Sequence, residues 1–353
     1  MTSLIGLAII VLVIWIIFQI SRASELVRII KNQEADEGTS NKINASLFLF
    51  FLIFGMIGAI WTSIYYAPMY LPEPASEHGM WIRSMFLWTL VPTAIVFVIT
   101  HIMLFWFAYK YQHSTKRNSV HFADSHTLEI IWTAIPAVVM VGLVVVGLVN
   151  WFKIFSPATP DTRIVEATAM QFKWELRYSG KDNELGSKSV WDISSENGFG
   201  LDLEDPAGKD DFKSDTLYLE VNKPVLMKLN SLDVLHSFYL PQFRVKMDCV
   251  PGIPTQFKFT PTKTTEQYRE QIGNGKFDYE LACAELCGQS HWNMRKLVKV
   301  VERDEYVAWW QRNSVKTLFE QMGAEVDNIV EENEPLLAKE TDRTETELKS
   351  ENK

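Results

Sequence analysis

Between Cys283 and Met294 the chain reads Cys283-Ala-Glu285-Leu-Cys287-Gly-Gln-Ser-His291-Trp-Asn-Met294. Two thiols, an imidazole and a thioether crowd into one short stretch. Thiolate together with thioether favours copper over zinc, and a methionine ligand is characteristic of electron-transfer copper sites whose potential is tuned by a weak axial bond. A mononuclear site of that kind uses one cysteine, two histidines and a methionine. A second cysteine allows both sulfurs to bridge two copper ions. One imidazole is still missing from the stretch. Of the 7 histidines only His236 and His291 follow the last long apolar segment, which leaves His236, in Asp233-Val-Leu-His236-Ser-Phe, as the remaining candidate. An ordinary Cys283–Cys287 disulfide suits an external compartment but leaves the spacing of His291 and Met294 without a purpose. Cys249, the other of the 3 cysteines, has no partner at suitable spacing and is expected to be a buried free thiol.

A ligand set split between two distant stretches needs a rigid scaffold. From residue 163 to 301 apolar side chains recur with period two, as at Leu217/Leu219/Val221 and Phe257/Phe259, with Gly, Pro, Asn and Asp between the runs. That pattern predicts a half-buried antiparallel sheet, closed as a sandwich or Greek-key barrel. His236 falls at a strand end, where a sheet can present it to the loop that carries the other donors. Residues 180–215 read as a long surface insertion. A short helix is expected over 304–311, followed by an acidic stretch too poor in apolar residues to offset ordering entropy.

The first half of the chain is of a different kind. Residues 4–20, 45–66, 84–109 and 128–151 are apolar enough to cross a bilayer, against a requirement of roughly 20 residues. Arg22, Arg28, Lys31 and Lys42 lie between the first two, and Lys110, Lys116 and Arg117 between the last two, so both connections are expected in the cytoplasm. The start of the chain and everything after Trp151 then fall outside. The first segment is read as retained, because its removal would leave three spans and reverse the side of the metal-binding half.

The net charge of -9 removes the usual reason to expect nucleic-acid binding, which selects for Lys/Arg stripes. An acidic surface suits a basic protein partner. The spans hold one histidine, His101, too few for haem sites or a histidine-rich copper cluster, so oxygen chemistry would belong to a partner.

With these residues in view, the chain resembles cytochrome c oxidase subunit II, whose dinuclear copper centre, CuA, carries the same motif. The resemblance extends through Asp233 to Cys249, Val250-Pro251-Gly252, and Leu128-Glu129-Ile130-Ile131-Trp132-Thr133 with Pro136. It implies a fold of membrane helices followed by an all-β, cupredoxin-like Greek-key domain. The implied organisation is an additional transmembrane hairpin at 1–66, the family hairpin at 84–151, the CuA domain at 152–313 and an acidic, disordered tail at 314–353. It also implies that Cys283 and Cys287 bridge the coppers, that His236 and Met294 complete one, and that His291 with the carbonyl of Glu285 completes the other. The Glu285 carboxylate would reach a magnesium ion at the contact with subunit I, and Glu129 would stand at the mouth of a proton channel into that subunit.

The expected function is that of the electron-accepting subunit of a respiratory haem–copper oxidase, taking electrons from cytochrome c and passing them to subunit I for reduction of oxygen to water with proton translocation. Haem would reside only in partner subunits. The expected setting is the bacterial inner membrane, among lipid and other oxidase subunits, with the start of the chain and the copper domain on the periplasmic side. Two departures stand out: the additional hairpin, and Phe172 in Gln171-Phe172-Lys173-Trp174, where many relatives carry a tryptophan for electron transfer from cytochrome c. Phe172 suggests a differently placed donor, such as a cytochrome c domain in a fixed assembly. A copper-free quinol oxidase subunit would not keep every ligand. Nitrous oxide reductase needs a second, histidine-rich cluster on a propeller, and a free cupredoxin carrier needs neither spans nor Glu129.

Overall fold

In a computed structural model the described residues are 2–31, 37–114, 116–118, 120–121, 123–195 and 197–321. Helices α1 (Thr2–Ile30), α2 (Glu37–Tyr70), α3 (Glu77–Lys110) and α4 (His126–Ile154) precede the strands. Each begins before and ends after the apolar segment that predicted it. Among the described residues α2, α3 and α4 are long and apolar enough to cross a membrane. Helix α1 is continuous, but several of its side chains lie outside the described residues, so the expected count of four spans is met here by three. On α4 no side chain is buried, and its apolar residues run all round the helix. Such a surface is stable only against lipid or other helices.

The chain divides into two compact units, Met1–Pro68 with Val91–Leu128, and Met69–Leu90 with Glu129–Lys353. In the first, Phe105 of α3 packs against Phe48 and Phe51 of α2, with ring centroids 5.9 and 5.4 Å apart.

The second unit contains two five-stranded sheets. One has the order β3-β2-β1-β5-β8, built from β1 (Arg163–Met170), β2 (Lys173–Tyr178), β3 (Phe212–Ser214), β5 (Val225–Ser231) and β8 (Thr255–Phe259). The other has the order β4-β10-β9-β6-β7, built from β4 (Leu217–Glu220), β6 (His236–Leu240), β7 (Val245–Cys249), β9 (Tyr279–Cys283) and β10 (Arg295–Val301). The expected sheet is therefore present, but it is not wholly antiparallel: β1 runs parallel to β5, and β4 parallel to β10. These pairings join strands far apart in sequence, as a Greek-key sandwich requires, and alternation of side chains carries no signal of strand direction. Trp174, Leu176, Met227, Phe238, Leu281 and Val298 fill the space between the sheets.

Helix α5 (Thr265–Ile272) starts on a reciprocal cap, Thr264 accepting from the Gln267 N–H while the Gln267 side chain accepts from the Thr264 N–H, and ends at Gly273 in the left-handed region. The helix expected over 304–311 is α6 (Arg303–Asn313), which buries Tyr306, Trp309 and Trp310.

Two expectations need correction. The stretch 180–215 is not wholly surface: Asp211 is fully buried, and β3 pairs with β2. Arg177 explains why. It stands directly across from Glu166 in the β1–β2 register and donates from Nε to that carboxylate at 2.6 Å. Its Nη1 donates to Asp211 at 2.8 Å and to the carbonyl of Gly186 at 3.0 Å. Lys188 also pairs with Glu166, so the insertion is pinned at both ends by a buried ion network. Order also extends past 313: α7 (Leu318–Gln321) packs Leu318 and Phe319 against Leu201 of the insertion. The acidic tail expected beyond it lies outside the described residues from 322 onward.

The connection between α2 and α3 is built into the sandwich. The Ala75 N–H donates to the carbonyl of Gln242 at 2.8 Å, and the Thr262 N–H donates to that of Ala75 at 2.9 Å. The Ser76 hydroxyl donates to the carbonyl of Phe243 at 2.6 Å, and the Tyr268 hydroxyl to that of Glu73 at 3.0 Å. Ala75 and Ser76 are fully buried.

Candidate metal centre

Strand pairing assembles the site. His236 opens β6 and Cys283 closes β9, and the antiparallel register opposing Phe238 to Cys283 sets the histidine beside the thiol. His236 Nδ1 lies 3.8 Å from Cys283 Sγ. The loop from Cys283 to Met294 is tied at its base, where the Cys283 N–H donates to the carbonyl of Met294 at 3.2 Å. Within it Cys283 Sγ is 4.0 Å from Cys287 Sγ, and Cys287 Sγ is 3.5 Å from His291 Nδ1 and 3.8 Å from Met294 Sδ. Cys283 Sγ is also 3.2 Å from the carbonyl oxygen of Glu285. The structure thus brings together donor atoms from His236, Cys283, Glu285, Cys287, His291 and Met294. The Cys283 and Cys287 sulfurs, 4.0 Å apart, are not bonded to each other in this structure.

The supports of this cluster were not singled out in the sequence. Asp233 accepts from His236 Nε2 at 2.8 Å and, through its other oxygen, from the Gln171 N–H at 2.6 Å. Burial works to raise the Asp233 carboxyl, but the Gln171 N–H and the His236 ring outweigh it and hold it below its ordinary value. An ionised carboxylate only accepts, so Nε2 donates to Asp233 and Nδ1 is the ring nitrogen turned to the sulfurs. Gln171 also donates from its side chain to the carbonyl of Cys287 at 2.6 Å. Trp174, fully buried, donates its indole N–H to the carbonyl of Met294 at 3.3 Å and lies edge-on to His236, with centroids 6.3 Å apart. An aspartate three residues before a candidate histidine is the signal that would have found Asp233. Gln171 and Trp174 are reached only through the fold.

Phe172, between β1 and β2, lies against the loop. A Cβ at Gly288, whose φ is +135°, would come within 3.0 Å of the Phe172 ring. Glycine is needed there for conformation and for close approach. Cys249 is buried opposite His236 in the β6–β7 register, and burial pushes its thiol up to about 12, out of reach of ordinary thiolate chemistry. Burial, with Cys283 beside it, pushes the Cys287 thiol up to about 11. A cation that displaces those protons would relieve the crowding of two sulfurs, and two thiols, two imidazoles and a thioether suit copper by softness.

Two candidate carboxylates stand apart from this cluster. Glu285 is exposed, leaving its carboxylate at the surface while its carbonyl faces Cys283. Glu129 sits in the first turn of α4 and is half-buried.

Residues 164–301 match the family described as cytochrome c oxidase subunit II, periplasmic domain, and residues 95–150 match its transmembrane domain. The alternative cytochrome c oxidase subunit 2 of Bradyrhizobium diazoefficiens is 37% identical over 220 residues, covering 61% of this chain and 75% of that protein. Cytochrome c oxidase subunit 2 of Cereibacter sphaeroides is 28% identical over 234 residues, covering 63% of this chain and 73% of the relative. The crystal structure of the periplasmic domain of a cytochrome oxidase subunit II from Bradyrhizobium japonicum aligns with 46% of this chain and 98% of its own at 24% identity and a TM-score of 0.31. On the strength of the 37% relative, three quarters of which it spans, this chain belongs to the cytochrome c oxidase subunit II family.

Proposed function

We propose that the chain is the electron-accepting arm of a haem–copper oxidase, holding a dinuclear copper centre outside the membrane and delivering electrons to a catalytic partner subunit. The observation that carries this reading is the convergence of His236, Cys283, Cys287, His291 and Met294 with the Glu285 carbonyl, successive donors standing 3.2 to 4.0 Å apart. Cys283 and Cys287 would bridge the ions, His236 and Met294 would complete one, and His291 with the Glu285 carbonyl the other. When bound, the copper pair supplies a one-electron relay that changes shape little between its two charge states.

The chain's own residues do the rest. Asp233 and Trp174 fix the His236 ring, the Cys283–Met294 backbone bond closes the cage, and burial of Cys287 and Met294 excludes water. Rigid donors keep the cost of reorganisation low. Glu285 would reach magnesium at the contact with subunit I, and Glu129 would deliver protons at the cytoplasmic face. Helix α1 would be the fourth span, placing the start of the chain and the copper domain on the periplasmic side. The donor is a cytochrome c or a cytochrome c domain; Phe172, whose ring lies against Gly288 of the copper loop, favours a donor held in a fixed assembly. Oxygen reduction belongs to the partner, and haem with it.

The test is copper analysis and electron paramagnetic resonance on the purified oxidase. Two coppers per chain sharing one unpaired electron are expected, with the signal collapsing in Cys287→Ser. Metal-free thiols, or a Cys283–Cys287 disulfide in the active complex, overturn the reading. Glu129→Gln is expected to slow proton uptake without altering the copper spectrum; unchanged uptake removes that assignment alone.

A further inference from the structure

A cavity of about 680 Å³ lies where the first turns of α3 and the last turn of α4 meet the end of β8, far in sequence from the copper loop. Its helical wall is apolar, formed by Trp81, Val149 and Phe152, and its rim is charged, carrying Glu77, Lys153 and Lys258. Both helices have their span ends here, so the cavity lies at the depth where acyl chains give way to headgroups. A site this size holds a headgroup and its glycerol.

The rim has the charge pattern of one particular ligand class. Lys153 and Lys258 against Glu77 leave one net positive charge, matched to a phosphodiester anion, with the carboxylate remaining for an ammonium. Lys153 Nζ is held 4.3 Å above the Trp81 ring, and Lys258 Nζ donates to the carbonyl of Pro157 at 3.0 Å, so neither ammonium trails free in solvent. His78, 6% exposed and edge-on to Phe259, lines the same cavity; its Nε2 is 3.4 Å from the Arg244 carbonyl, while Nδ1 is buried with no hydrogen-bond partner.

We propose that this cavity is a binding site for one phospholipid of the outer leaflet, its phosphodiester held by Lys153 and Lys258, its ammonium by Glu77 and its acyl root against Trp81 and Phe152, as in phosphatidylethanolamine. The cavity would join the ends of α3 and α4 to the sandwich through a lipid. It uses none of the residues of the candidate copper centre.

The experiment is native mass spectrometry of the whole purified oxidase after detergent washing, with added phosphatidylethanolamine, phosphatidylglycerol or inorganic phosphate. One phosphatidylethanolamine per chain is expected to resist washing, with at least tenfold lower retention in the Lys153→Glu/Lys258→Glu variant and unchanged copper content. Glu77→Gln is expected to shift preference several-fold towards phosphatidylglycerol while keeping the protein folded. Equal retention in the lysine variant, displacement of the lipid by inorganic phosphate, or a side chain of another oxidase subunit filling the cavity in the assembled complex overturns the proposal.

Discussion

Two buried polar clusters in the sandwich are built on opposite terms. The ion network around Arg177 is satisfied within the chain save for one oxygen: Glu166 accepts from Arg177, Lys188 and Asn230, and the same guanidinium reaches the Gly186 carbonyl and one oxygen of Asp211, whose Oδ1 alone is left without a partner. The cluster around Cys287 is donors facing donors, with sulfurs and imidazole nitrogens at 3.5 to 4.0 Å and a thiol pushed up to about 11. The first holds a fold together, and the second asks for a cation. Burial of polar groups alone therefore does not mark a functional site; what marks it is whether the partners inside the chain already satisfy them.

The sharpest way to break that contrast is to remove a sulfur. Cys287→Ser is expected to lower copper content and oxidase turnover by at least ~100-fold, beyond the loss typical of a ligand's supporting partner, while thermal unfolding of the metal-free domain changes little. Arg177→Met makes the opposite cut. It leaves Asp211 without its cation and Glu166 with Lys188 alone, and is expected to cost about 3–5 kcal/mol in denaturant unfolding, with copper per folded chain unchanged. Asp233→Ala frees the His236 ring and is expected to weaken copper binding by roughly 10–100-fold in competition with a chelator. Trp174→Phe removes one hydrogen bond to the loop base and is expected to cost about 0.5–1.5 kcal/mol, with a shifted copper absorption band and no loss of stoichiometry.

The smallest effect is a pH slope. Burial outweighs Arg177 and pushes the Asp211 carboxyl up to about 7, while in the unfolded chain it titrates near its ordinary acid range. Between those values the folded chain holds a proton that the unfolded chain releases, so this residue's contribution is full at low pH and is lost as pH rises towards 7. Stability of Asp211→Asn, measured by urea unfolding across pH 4 to 7, is expected to lack that falling component.

The copper loop was legible because its chemistry is local: donors at short spacing identify themselves without a fold. His236 was legible by elimination. Asp233 was visible only as part of a motif, since its value lies in an oxygen aimed at a ring. Trp174 reads like any core tryptophan on a strand, and its indole N–H gains meaning only when β2 is laid beside the end of the loop. The insertion was misjudged for a similar reason: Asp211 sits in a polar run, and nothing in that run announces that Arg177, on another strand, faces it. Apolar segments gave the helices but not their ends, because Glu77 and His78 belong to α3 through contacts with the sandwich that hydropathy does not register.

The Ala75–Ser76 segment changes what counts as the soluble half of this protein. A fragment cut at the membrane surface after α4 would lack the segment that bonds Gln242 and Thr262 on either side of Ala75, leaving those backbone groups, the Phe243 carbonyl and the Tyr268 hydroxyl without these partners along an open seam. Such a fragment invites self-association through that seam, whereas the same fragment fused to residues 71–77 by a flexible tether carries its own plug.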